Sequence, residues 1–190
     1  MGTLRIVAGE LRGRRIRVPR GNRVRPTPDK VREALFDILG HDLSGARVLD
    51  ACAGSGALGF EALSRGAASA TFIEADREVL VLLQSNARDL GVESRCRILH
   101  GRAEVLIARG GGGAGPFDLV LADPPYAEPL RAPLLAALLA AGGNLAPGCR
   151  VVLERDAVSV PIPSGGDGLP LVRTARYGRT CLDFYLFEGV

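Results

Sequence analysis

Asp123-Pro124-Pro125-Tyr126 stands directly after an apolar run, Phe117-Asp118-Leu119-Val120-Leu121-Ala122, that reads as a buried strand. Both prolines fix φ, and a residue preceding proline is driven to extended geometry. Asp123 is therefore held in a rigid polar corner at the carboxyl end of a strand. Such a corner suits a flat ring bearing an amine. The Asp123 carboxylate and the Pro124 carbonyl can accept its two N–H protons, and the Tyr126 ring can cover its face. Methyl transfer to an exocyclic base amine needs that arrangement. A strand-to-loop turn with a surface tyrosine has the same four residues, so the weight of the tetrapeptide depends on a partner motif.

The partner is Asp50-Ala51-Cys52-Ala53-Gly54-Ser55-Gly56-Ala57-Leu58-Gly59, between a short strand and a helix. Glycines allow a tight turn and close approach of a ligand to the backbone. Gly54, Gly56 and Gly59 also satisfy the dinucleotide pattern G-x-G-x-x-G, with Glu74 at the spacing of a ribose-binding acid. Asp50 separates the two readings. A dinucleotide site starts its first glycine almost at the strand end and sets pyrophosphate on a helix N-terminus. A carboxylate in that position suits a cation instead. S-adenosylmethionine carries a sulfonium and an ammonium and no phosphate, and Glu74 can accept both of its ribose hydroxyl protons. In an open parallel sheet ligands bind beyond the carboxyl ends of strands, so the two motifs are expected to face one crevice.

Alternating elements place these motifs. Leu4–Ala8 and Arg14–Val18 read as a hairpin with one wet face, and a helix follows from Pro28 to about Leu39 with Val31, Ala34, Leu35 and Ile38 on its apolar side. Strands are expected at Arg47–Asp50, Ala70–Glu74, Cys96–His100, Phe117–Ala122 and Cys149–Glu154, with helices of about ten residues after Gly56, at Asp76–Leu90, at Ala103–Ala108 and near Leu130–Ala141. Leu171–Tyr177 and Thr180–Phe187, joined near Gly178, read as an antiparallel hairpin closing the sheet. The expected class is α/β, a Rossmann-like, mostly parallel sheet with helices on both faces, preceded by a basic hairpin. Residues 1–24 form the arm in this reading and 25–190 the domain. The Gly110–Gly113 run is a connector. It lacks the lysine and hydroxyl residue of a P-loop.

Charge is distributed unevenly. The chain of 190 residues has net charge +3, but residues 1–40 alone contribute +6. A basic arm on a mildly acidic body suggests a polyanionic partner, with Arg5, Arg12, Arg14, Arg15, Arg17 and Arg25 as phosphate contacts. Four dispersed cysteines and two histidines show no metal-ligand spacing, so no metal is expected and the thiols read as reduced, in a cytoplasmic protein. No apolar stretch reaches membrane-spanning length.

The chain resembles the class I S-adenosylmethionine-dependent methyltransferases, and within them the bacterial small-subunit ribosomal RNA guanine-N2 methyltransferases. The matching stretches are Arg5–Gly9, Arg25-Pro26-Thr27, Val31–Phe36, Asp50–Gly59, Glu61–Ala67, Phe72-Ile73-Glu74 and Asp123–Tyr126. The resemblance implies a seven-stranded sheet, a bacterial cytoplasmic enzyme, and N2-methylguanine in 16S rRNA as product, formed on the small subunit or an assembly intermediate; a monomer is expected. It implies cofactor contacts from Asp50, Ala51, Gly54, Gly56, Glu74, Ala75, Arg102, Ala103 and Asp123, and catalytic roles for Asp123, Pro124 and Tyr126. One departure is Arg102, where many methyltransferases have an acid for the adenine amino group; the contact here is expected from backbone around Arg102 and Ala103. The same motifs fit an adenine-N6 methyltransferase on DNA or RNA. A protein glutamine methyltransferase, an NAD-dependent oxidoreductase and a non-catalytic RNA-binding factor fit less of the pattern.

Overall fold

The computed structural model describes residues 2–19, 29–110, 115–125, 129–140, 144–164 and 168–189. Two short strands, β1 (Gly2–Arg5) and β2 (Arg15–Val18), pair antiparallel as the expected hairpin. After α1 (Asp29–Leu39) the chain alternates β3 (Arg47–Asp50), α2 (Ala57–Ser64), β4 (Ser69–Glu74), α3 (Arg77–Leu90), β5 (Cys96–His100), α4 (Ala103–Ala108), β6 (Phe117–Ala122), α5 (Arg131–Ala140) and β7 (Leu145–Asp156), and closes with β8 (Leu171–Tyr177) and β9 (Thr180–Leu186). Strands β3 to β9 build one seven-stranded sheet in the order β5-β4-β3-β6-β7-β9-β8. Strands β3 to β7 are parallel, and β9 runs antiparallel between β7 and β8.

Strand alternation splits the core into two layers. Val48, Phe72, Leu119, Leu121, Val152, Leu182 and Phe184 pack against the arm, α1, α2 and α3. Leu49, Ile73, Val120, Val151, Leu153 and Tyr185 pack against α4 and α5. Both faces are covered, which is why the central strands are apolar at nearly every position. Helix boundaries follow local chemistry. Asp76 caps α3, accepting from the Glu78 and Val79 N–H groups at 2.8 and 3.2 Å, and Gly91 ends it with φ of 75°.

Two expectations need correction. The buried face of α1 is Val31, Arg32, Leu35, Phe36 and Leu39, while Ala34 and Ile38 are only half-buried. The face is rotated because Arg32, polar by type, is 1% exposed and donates to the Arg5 carbonyl at 2.5 Å and to Asp29 Oδ1 at 2.9 Å. Strand β7 runs past the expected Glu154 because Arg155 can remain in the sheet: its guanidinium donates to both Asp183 carboxylate oxygens, at 2.6 and 3.2 Å.

The arm is clamped to the sheet's helices by Glu61, a fully buried carboxylate on α2. Its oxygens accept from the Val7 and Ala8 N–H groups at 2.8 and 3.0 Å, and they face Arg65 Nε at 3.0 Å and Arg32 Nε at 3.6 Å. The Arg65 guanidinium also lies 4.8 Å above the Phe36 ring. Removing one member of such a cluster strands buried charge. Glu61→Ala is expected to lower unfolding free energy by about 3–5 kcal/mol, read from the urea midpoint. A loss below about 1 kcal/mol would mean that water or rearrangement satisfies both arginines.

Candidate active site

The sheet order reverses between β3 and β6. The chain winds from β3 outward through β4 to β5, then returns to β6 on the other side of β3. Diverging connections leave a crevice beyond the carboxyl ends of those two strands. The turn after β3 is stitched to both neighbours: Ala51 N–H donates to the Leu121 carbonyl at 2.8 Å and Ala53 N–H to the Ile73 carbonyl at 2.9 Å. Asp123 lies one residue past the end of β6, half-buried, followed by buried Pro124 and exposed Pro125. The two loops singled out from sequence therefore border one crevice. Tyr126 and Arg25 lie outside the described residues.

The glycines divide their work. Gly56 has φ of 86°, and a Cβ there would stand 2.4 Å from Phe60 Cε2 and 2.5 Å from Leu83 Cδ1, so it serves the turn itself. A Cβ on Gly59 would meet Phe72 Cε1 at 2.2 Å. Gly59 therefore brings α2 down onto β4. Gly54, with φ of 53°, donates its N–H to Glu74 Oε2 at 2.7 Å. The other Glu74 oxygen accepts from Asp76 N–H at 2.8 Å. Each oxygen retains a second lone pair, so the carboxylate is aimed yet able to accept hydroxyl protons.

Asp50 closes the floor of the turn. It is 1% exposed; Oδ2 accepts from Gly59 N–H at 2.9 Å, and Oδ1 has no partner among the described residues. Burial raises its pKa to about 7, opposed by the Gly59 hydrogen bond and assisted by the charge of Glu74. A buried, half-satisfied carboxyl is costly unless a donor completes it. An ammonium group fits that vacancy in chemistry; a pyrophosphate does not.

Cys52 reports on the rest of the bowl. Its thiol is pushed strongly up, first by burial and then by the negative charges of Asp50, Asp123, Glu74 and Glu104. Such a thiol stays protonated and is a poor nucleophile. The same four carboxylates make the crevice electrostatically suited to a cation. Glu104 was not anticipated from sequence. Its signal was present as the first acid after β5, two positions beyond Arg102. Arg102 donates through Nε to Glu104 Oε1 at 2.5 Å, with its side chain 63% exposed, while Ala103 is buried at the start of α4. The Ala75 carbonyl lies 3.1 Å from His100 Nε2.

Asn86 is a second residue that sequence reading passed over. It is 1% exposed on α3. Its Oδ1 accepts from Arg17 N–H at 2.9 Å, and Nδ2 donates to the Arg17 carbonyl at 2.9 Å and the Ser55 carbonyl at 3.0 Å. One amide thus joins the arm to the glycine-rich turn. Among the arm arginines, Arg17 donates to Ser85 Oγ at 2.8 Å and to Asp89, and Arg14 donates to the Asp89 carbonyl. Arg5, Arg12 and Arg15 are exposed, with no acidic partner among the described residues.

Comparison with known proteins places the chain in a family. The family described as conserved hypothetical protein 95 matches residues 4–186. Escherichia coli (strain K12) "Ribosomal RNA small subunit methyltransferase D" is 44% identical over 125 residues, which is 66% of this chain and 61% of that protein, so the match spans less than two thirds of it. "Putative rRNA methyltransferase YlbH" of Bacillus subtilis (strain 168) is 32% identical over 98% of this chain and 100% of that protein. The solved structure "Putative methyltransferase yhhF from Escherichia coli" superposes with a TM-score of 0.86 at 36% identity, covering 100% of both chains. By the extent of these matches, the chain belongs to the conserved hypothetical protein 95 family.

Proposed function

We propose that the protein is an S-adenosylmethionine-dependent methyltransferase acting on the exocyclic N2 amine of a guanine in 16S rRNA of the small ribosomal subunit. The observation that supports this most directly is the shared crevice: the Asp50–Gly56 turn and Asp123 flank the strand-order reversal, joined by the Ala51-to-Leu121 hydrogen bond. The names of the relatives point to the same chemistry and substrate class.

When bound, S-adenosylmethionine supplies an electrophilic methyl group on a sulfonium. Asp50 Oδ1 would accept a hydrogen bond from its ammonium, and Glu74 would accept hydrogen bonds from the ribose hydroxyls. Ala51, Gly54, Gly56, Ala75, Arg102 and Ala103 would line the site through backbone. Guanine N2 is a weak nucleophile because its lone pair is delocalised into the ring. Asp123 and the Pro124 carbonyl would hold its N–H bonds and turn that lone pair out of conjugation. The fixed carboxylate opposes the positive charge that develops on nitrogen, without needing to reorganise. Tyr126 would stack on a base taken out of its helical context. In-line placement of the reacting groups can supply about 7–11 kcal/mol. Arg5, Arg12 and Arg15 would contact phosphates and give affinity without base choice.

Mass mapping of small-subunit RNA from cells with and without this gene tests the reading. One N2-methylguanine is expected to disappear; loss of N6-methyladenine instead would reassign the base. Asp123→Ala is expected to lower single-turnover methyl transfer by at least about 10²–10³-fold, with S-adenosylhomocysteine binding largely kept. Full activity would remove Asp123 from the mechanism.

The linkage at Asp50 has a definite sign. Its folded pKa of about 7 lies above the ordinary 3.8, so its contribution to stability is present below 3.8 and is lost as pH rises through about 7. An ammonium favours the ionised form. S-adenosylhomocysteine binding should therefore tighten as pH rises from 5.5 to about 7, with proton release detectable by calorimetry in buffers of different ionisation enthalpy. Asp50→Asn should flatten the profile, and a flat wild-type profile would contradict the assignment. For the arm, neutralising Arg5, Arg12 and Arg15 together should reduce the salt slope of RNA binding by about 3; an unchanged slope would place the phosphate contacts elsewhere.

A further inference from the structure

We infer that Glu154 is a specificity-determining residue that reads the N1–H of the target base, an inference that rests on the function proposed above. Strands β6 and β7 are parallel and in register, with Leu121 opposite Val152 and Ala122 opposite Leu153. Leu121 and Val152 belong to the core layer under the arm, and Ala122 and Leu153 to the opposite layer. The observed register ends there; continued by one residue, the alternation sets Asp123 beside Glu154 on the arm-side face. The neighbour on the other side agrees: Glu154 pairs with Leu182 of β9, and Leu182 lies in the same arm-side layer. Asp50 shares that face too, since Val48, two residues earlier, is in it and the Asp50 carboxylate is bonded by Gly59 of α2.

Two carboxylates thus stand on neighbouring strand lines, about 4.8 Å between chain axes, Asp123 one residue past the end of β6 and Glu154 two residues before the end of β7. Glu154 is 5% exposed, so its position is set by packing. The Watson–Crick edge of guanine presents N1–H beside the N2 amine, two donors in one plane. Adenine presents an N1 lone pair beside its N6 amine. Asp123 can serve the amine of either base. A second carboxylate alongside accepts the guanine N1–H and repels the adenine N1 lone pair. Recognition of the amine falls to Asp123, and choice of the base to Glu154.

The test compares single-turnover methyl transfer to small-subunit RNA carrying guanine or 2-aminopurine at the mapped position. 2-Aminopurine keeps the amine at C2 and replaces N1–H with a lone pair. Wild type should prefer guanine by about 10–100-fold, the range of one charge-assisted hydrogen bond. Glu154→Gln, whose amide can donate to that lone pair, should reduce the preference by at least about tenfold. Glu154→Asp, which keeps the charge, should slow the reaction and retain the preference. S-adenosylhomocysteine affinity and thermal midpoint establish that each variant is folded, and a purely structural role would not move the guanine to 2-aminopurine ratio. Equal rates on the two bases with wild type, or an unchanged ratio in Glu154→Gln, would overturn the inference while leaving guanine methylation in place. Absence of methyl transfer by wild type to either RNA would overturn both.

Discussion

The direct pairing of β3 with β6 is the constraint on which the site depends. It is a consequence of winding direction: β4 and β5 are laid down to one side of β3, and β6 must start again on the other. Right-handed crossovers then put helices on opposite faces of the two halves, and the backbone opens where they part. A turn and an acidic corner that are about seventy residues apart in sequence are brought within one backbone hydrogen bond of each other, Ala51 N–H to the Leu121 carbonyl. Neither loop needs to be long or mobile, because strand ends place them.

The crevice concentrates negative charge in a way that folding alone would not favour. Asp50 is buried with one oxygen unpartnered among the described residues, Glu74 raises the cost of ionising it, and Glu74, Glu104 and Asp123 raise the cost of a thiolate at Cys52. Local conflicts of this kind gather at functional sites, where a ligand completes what the protein leaves unsatisfied. Other buried charges among the described residues are enclosed internally. Glu61 is enclosed by two arginines and two backbone N–H groups, and Arg155 by both oxygens of Asp183. The contrast between completed clusters and one incomplete carboxyl separates architecture from binding chemistry.

The arm belongs to this architecture. Ile6, Leu11 and Ile16 pack in the same core layer as α1, α2 and α3. Glu61 ties the arm to the helix that starts at the glycine-rich turn, and Asn86 ties it to Ser55 within that turn. Arg17 pairs with the Asp89 carboxylate on α3, and Arg14 donates to the Asp89 backbone carbonyl. Positive charge counted along the chain therefore overstates what faces solvent.

The primary structure by itself determined the element types, the two chemical motifs and the positive terminus, because each is local. Apolar alternation marks strands, Asp76 and Gly91 mark the ends of α3, and a carboxylate before two prolines is rigid wherever it sits. It misjudged α1 because the burial of Arg32 depends on Asp29, Glu61 and a carbonyl of the arm, and it stopped β7 early because Arg155 is tolerated only beside Asp183. Asn86 has no local signature, and Glu104 shows only as the first acid after β5. Only the tertiary structure decided that Asn86 supports the glycine-rich turn and that Glu104 acts on Cys52 together with Asp50 and Asp123, since strand order and register, not sequence spacing, set which side chains meet.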